Sequence, residues 1–184
     1  RAVVLTGHGR FFSAGLDLGE VFSYAAEEAT AFAESFDDAV TGLFALEVPV
    51  VAAVNGHAVA GGCVLAATAD FRLMADGVGK IGVPEILVGV PFPTSALEAV
   101  RCRCESHFLH EVLLRGRTYE PTDALGRNLI DEVVPGEELL ERALGLAAEL
   151  AAAPRVAFAT SKRALRRESL GRMAEARRGG PDPI

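Results

Sequence analysis

Short β-branched runs alternate with stretches of helical periodicity up to residue 134, and only helical periodicity follows. Val3-Val4-Leu5 and Val48-Pro49-Val50-Val51-Ala52-Ala53-Val54 read as buried strands, with Pro49 near the start of its strand, where a missing N–H is tolerated. Between them Val21, Phe22, Ala25, Ala29, Phe32, Phe36, Val40 and Leu43 recur at steps of three and four. That spacing predicts one long helical region over 18–44 with a single apolar face. Asn55-Gly56 turns the chain, 61–69 fit a helix of small residues packed tightly between neighbours, and 70–75 return as a strand. Strand, helix and strand in this order imply a right-handed parallel crossover. Short helices are predicted over 94–103, 106–114 and 121–127, and a strand over 131–134. From Pro135 the pattern is helical alone, over 137–153 and 154–178, divided at Ala153-Pro154.

Two glycine-bearing turns stand out, Phe12-Ser13-Ala14-Gly15-Leu16-Asp17-Leu18 and Asn55-Gly56-His57-Ala58-Val59-Ala60-Gly61-Gly62. Each follows a β-branched apolar run and leads into a helix-like stretch. The first N–H groups of a helix have no partner within it, and small residues let a ligand carbonyl approach closely. The pair therefore reads as two backbone donors aimed at one oxygen, an oxyanion hole. Glu85 follows Gly82-Val83-Pro84 and precedes the apolar Ile86-Leu87-Val88-Gly89-Val90-Pro91-Phe92-Pro93. Apolar surroundings raise a carboxyl pKa toward useful acid–base work, which makes Glu85 the candidate acid or base. An isolated loop glutamate is more often a solvated surface residue, and the neighbouring turns reverse that preference.

Composition narrows the class. The 184 residues are 50% apolar and 23% charged, enough to bury a core. The net charge of −7 is unevenly placed, since eight of the 18 Lys and Arg residues fall between Arg155 and Arg178. An acidic body with two Tyr and no Trp argues against nucleic-acid binding. The basic tail reads first as a solvated helix face and second as an anion or subunit contact. Cys63, Cys102 and Cys104 cannot all pair within one chain, which fits a reducing compartment, expected to be the cytoplasm. The stretch 48–71 is apolar enough to mimic a membrane span, yet it carries Asn55, His57 and four Gly or Pro residues, so a buried strand plus a buried helix explains it.

Competing motifs fail on context. Gly77-Val78-Gly79-Lys80-Ile81-Gly82 has the G-x-G-x-x-G spacing, but Val83-Pro84 follows where a phosphate-binding helix should run. Ile81 replaces the Ser or Thr that a P-loop needs after Lys80, and no G-x-S-x-G elbow exists. Cys102, Cys104, His107 and His110 concentrate four possible zinc ligands in nine residues, but their side chains diverge on a helix and the gap between the pairs is short for a structural zinc motif. No metal is expected.

Taken together, the segments 9–18, 53–63 and 82–86 resemble, in residues, order and spacing, the crotonase superfamily of enoyl-CoA hydratases and isomerases. The likeness extends through Gly126-Arg127-Asn128-Leu129-Ile130-Asp131-Glu132-Val133-Val134 to about Arg172. It implies an α/β fold, a crotonase-like spiral of ββα units over 1–118 followed by a helical trimerisation region over 119–184. It also implies homotrimers or pairs of trimers, and a first repeat preceding Arg1. The implied ligand is an acyl thioester of coenzyme A, the coenzyme being part of the substrate, with no separate cofactor. Its oxygen would be held by the backbone N–H groups of Leu16 and Gly61. Ala14 and Leu18 match the loop that meets the adenine end, and Asp17 and Pro84 complete the implied substrate-binding set. Lys162 and Arg166, from this or a neighbouring subunit, are candidate clamps for the coenzyme phosphates.

One position departs from the hydratase pattern. Hydratases of this superfamily carry a second glutamate two residues after the double glycine, and here Gly61-Gly62-Cys63 is followed by Val64. Adding water across a double bond needs a group to orient and deprotonate the water, which valine cannot do. Glu85 alone suffices to move one proton between two carbons, so the similarity is nearest to the Δ3,Δ2-enoyl-CoA isomerase type. The alternatives are hydration, thioester hydrolysis or decarboxylation through the same enolate, and a catalytically silent acyl-CoA binder.

Overall fold

The computed structural model describes residues 1–77 and 79–180. β1 (Val3–Thr6), β2 (Phe11–Ser13), α1 (Leu18–Val21) and α2 (Ala26–Ala45) form a first unit. β3 (Val50–Val54), β4 (His57–Val59) and α3 (Gly61–Thr68) repeat the pattern. So do β5 (Phe71–Ala75), β6 (Ile81–Gly82) and, after a 3₁₀ turn at Glu85–Val88, α4 (Thr94–Arg101). α5 (Leu109–Leu114), β7 (Thr118–Tyr119), α6 (Pro121–Leu125) and β8 (Glu132–Val134) follow, and α7 (Leu139–Ala151) and α8 (Arg155–Arg178) come last.

Each unit gives one strand to each of two sheets. The first sheet, β1-β3-β5-β8, is parallel throughout, and the second, β2-β4-β6-β7, is parallel except for β7. The chain therefore advances as a spiral of ββα units. The expected division at 118/119 falls inside β7, and β8 beyond it edges the first sheet, so the region past residue 118 holds the end of β7 and all of β8 before its two long helices.

β3 shows why its sequence has no polar alternation. Val50, Ala52 and Val54 face the main core with Phe44 and Met74, while Val51 and Ala53 face a second cluster with Leu139, Ala143 and Ala147 of α7. Both faces are covered, so all five residues are buried. Each such valine contributes about 1.5–3 kcal/mol. α3 owes its small residues to crowding, because a Cβ on Gly62 would lie 2.1 Å from the carbonyl oxygen of Ser13 in β2. No single helix among the described residues is long and apolar enough to cross a membrane, and the apolar stretch 48–71 is divided among β3, β4, α3 and the start of β5.

The long helix expected over 18–44 is two helices. Ala25 takes an extended conformation and its N–H donates to Glu28 Oε2 at 2.9 Å, which starts α2 afresh. The buried face also differs from the periodic one: Ala33, Val40 and Phe44 are buried, whereas Phe22 and Ala29 are exposed. The restart at Ala26 rotates the later residues relative to the first turn, so one continuous face does not exist.

Candidate active site

A cavity of about 310 Å³ lies where the three ββα units meet. The first unit contributes Ala14, Leu16 and Leu18, the second Val59, Ala60, Gly61 and Val64, and the third Pro84 and Glu85. Phe36 of α2, Phe92 and Ala96 of α4 also line it. Of the expected catalytic and thioester-binding residues, all except Asp17 are on that wall. Asp17 instead caps α1, its Oδ1 accepting from Gly19 N at 3.0 Å and Glu20 N at 3.2 Å. That cap fixes the turn carrying Leu16.

The two turns approach each other closely. Gly15 has φ +86°, and a Cβ there would stand 2.8 Å from Gly61 N, while a Cβ on Gly61 would stand 3.3 Å from Gly15 Cα and 3.8 Å from Leu16 N. Gly15 N donates to Ser13 Oγ at 3.2 Å. The next amide, that of Leu16, and the amide of Gly61 at the first position of α3 have no acceptor among the described residues. Ala60, just before Gly61, is held at φ 54° and ψ −126°, a strained conformation outside glycine, and its own N–H is tied to Gly82 O at 2.9 Å. Strain at the residue that aims a donor is a common mark of a built site.

Glu85 opens the 3₁₀ turn after β6. Leu87 N donates to Pro84 O at 2.9 Å and Val90 N to Glu85 O at 3.1 Å, and Gly89 at φ 76° closes the turn. Its Oε2 is buried with no hydrogen-bond partner among the described residues. Burial pushes the carboxyl up from 4.5 to about 7. Val64, 1% exposed, is also on the cavity wall. The neighbouring Cys63 thiol is also driven up, by burial first and by the Glu85 charge second, so it stays a neutral thiol.

Other candidates sit apart from this cavity. Lys162 and Arg166 are not phosphate clamps: both are buried on α8 and committed to Asp70, at 2.6 and 2.8 Å, and Lys162 also donates to Val48 O at 2.9 Å. Their charge fills a structural need, because Asp70 also accepts from Val50 N at 2.8 Å and ties α8 to β3. Asp70→Asn is expected to cost about 3–5 kcal/mol in denaturant unfolding, since it leaves two buried cations without their counter-charge. Cys104 is buried while His107 and His110 are exposed, and among the described residues no three His, Cys, Asp or Glu side chains converge to hold a metal. The stretch 77–82 enters β6 instead of a helix, and its Val78 lies outside the described residues. Phe36, Phe92 and Ala96 are among the wall residues that the sequence did not assign. Phe36 carried only the signal of a helix-face apolar residue.

Residues 1–179 match the family described as enoyl-CoA hydratase/isomerase. The chain belongs to that family. Among its relatives, the probable enoyl-CoA hydratase echA17 of Mycobacterium avium is 34% identical over 161 residues, covering 88% of this chain and 62% of the relative. The chain thus spans about 62% of that relative's length. Human mitochondrial Δ3-Δ2-enoyl-CoA isomerase superposes with a TM-score of 0.92 at 29% identity, covering 97% of this chain and 70% of that one. The enoyl-CoA hydratase EchA3 of Mycobacterium ulcerans superposes with a TM-score of 0.91 at 29% identity, covering 97% and 78%. The ββα spiral is thus the fold of solved structures of this family.

Proposed function

We propose that the protein shifts the double bond of an enoyl-CoA from the 3 to the 2 position, or the reverse, with Glu85 as proton shuttle. The supporting observation is that, among the described residues, Glu85 is the one ionisable side chain on the cavity wall, which Val64 also lines. The ionised carboxylate takes a proton from C2 of a 3-enoyl thioester, and the electron pair of that C–H bond moves into a dienolate. The Leu16 and Gly61 amides bind the oxygen on which the charge collects, most strongly once the charge has formed. The protonated carboxyl then gives the same proton to C4, leaving the 2-enoyl thioester. A carboxyl with a pKa of about 7 suits both steps, being ready to accept and to return at neutral pH.

Hydration, the activity named for the M. avium relative, is the alternative. It needs a second polar group to deprotonate water, and the valine at position 64 offers none. The separating experiment presents 3-enoyl-CoA and 2-enoyl-CoA to the full-length protein. The expected result is conversion of 3-enoyl-CoA to the conjugated 2-enoyl-CoA, without 3-hydroxyacyl-CoA from either. Isomerisation is abandoned if 3-enoyl-CoA binds and stays unchanged, and 3-hydroxyacyl-CoA formed from 2-enoyl-CoA moves the assignment to hydration.

A further inference from the structure

The cavity offers more room than proton transfer beside a thioester requires. Its volume is about 310 Å³, and a methylene needs about as much space as a liquid water, roughly 30 Å³, so about ten chain atoms fit. Away from the two amides and Glu85, the wall is made by aliphatic and aromatic side chains, including Leu18, Val90, Phe92 and Ala96. Among the described residues no side chain there offers a partner to a hydroxyl, amide or carboxylate, so a polar group on the tail would be buried at a cost.

Phe36 stands at the α2 side of this wall, half-buried and packed against the main core. Its position is fixed by its neighbour: Asp37 accepts a hydrogen bond from Ser95 Oγ, and Ser95 is 2% exposed. Asp37 follows Phe36, and Ser95 precedes Ala96, so this bond ties α2 to α4 directly beside two wall positions. Helices tied in this way cannot separate to admit a longer tail without breaking a buried hydrogen bond.

Building on the reading of the site as an acyl-CoA isomerase, we infer that it selects acyl chains of about eight to ten carbons without polar substituents, and that Phe36 sets this limit. The test measures, by calorimetry on the full-length protein, the Kd of saturated acyl-CoAs from about four to about sixteen carbons, with free coenzyme A as reference. Saturated chains undergo no isomerisation, so binding is read apart from chemistry. Affinity is expected to rise about fourfold per methylene up to about ten carbons and to fall beyond. Phe36→Ala moves that maximum out by about three carbons, and Phe36→Leu, which keeps an apolar group on the core, moves it by about one. Ser95→Ala cuts the tie without entering the cavity and flattens the fall at longer chains. Affinity independent of length, or a maximum unmoved in both Phe36 variants, overturns the chain-length limit while leaving the isomerase reading in place. A fall as steep in Ser95→Ala as in wild type overturns the role of the tie. Acyl-CoAs that bind no better than free coenzyme A at any length overturn the reading of the site itself.

Discussion

Glu85→Gln is expected to lower isomerisation by about 10²–10⁴-fold and, above neutral pH, to leave the protein more stable than wild type. Both effects follow from one geometry. Glutamine keeps the shape of the side chain but cannot accept and return a proton, so the loss falls on kcat while acyl-CoA binding remains. In the wild type, Oε2 is buried without a partner and burial raises the pKa from 4.5 to about 7. A carboxyl raised in the folded state binds its proton more tightly there than in the unfolded chain. Its contribution to stability is full below pH 4.5 and is lost as pH rises through about 7. Glutamine carries no such loss. Melting temperatures of the two proteins should differ least near pH 4.5 and diverge toward about pH 8, with the variant higher. Wild-type kcat/KM for 3-enoyl-CoA should rise tenfold per pH unit below about 7 and level off above it, as the base form fills. Comparable turnover by Glu85→Gln would remove Glu85 from the mechanism. An unchanged melting difference across that range would mean that its carboxylate is hydrated.

What can be read from the sequence, and what cannot, divides along the range of the interactions. The two turns with free amides are legible because glycine and alanine beside β-branched runs are local turn signals, whereas the choice of Leu16 and Gly61 within them rests on the family resemblance. The apolar flank Ile86 to Pro93 likewise announces the raised pKa of Glu85. β2, β4, β6 and β7 are two or three residues long, too short for any periodicity to show. The break before α2 depends on the Glu28 carboxylate reaching back to Ala25, with no Gly or Pro to mark it. Lys162 and Arg166 read as solvated charge or as phosphate clamps because their partner, Asp70, lies more than ninety residues away in the chain. Phe36 could be placed on a helix but not on a cavity wall, since that depends on how α2 packs toward α4.

Gly61→Ala is expected to leave the fold intact and to reduce turnover by about 10²–10³-fold, the effect of losing an oxyanion donor, worth about 2.7–4 kcal/mol. Gly61 is the first residue of α3 and does not occupy the left-handed region, so alanine fits its backbone and gains up to about 1 kcal/mol of helix propensity. The added methyl, however, would lie 3.8 Å from Leu16 N and 3.3 Å from Gly15 Cα, in the space between the two amides that a thioester oxygen has to enter. Neither contact is the end of a flexible side chain, so nothing nearby yields cheaply. Gly62→Ala makes the contrast: its methyl would meet Ser13 O at 2.1 Å, and stability is lost there before activity can be measured. The decisive measurement for Gly61→Ala is exchange of the C2 protons of a saturated acyl-CoA with deuterium, which needs the enolate but no transfer to C4. Exchange and isomerisation should fall by the same factor in a variant whose melting temperature is unchanged. Exchange at the wild-type rate in a folded Gly61→Ala protein would place the oxyanion site elsewhere, because a methyl between the Leu16 and Gly61 amides cannot leave both of them bound to one oxygen.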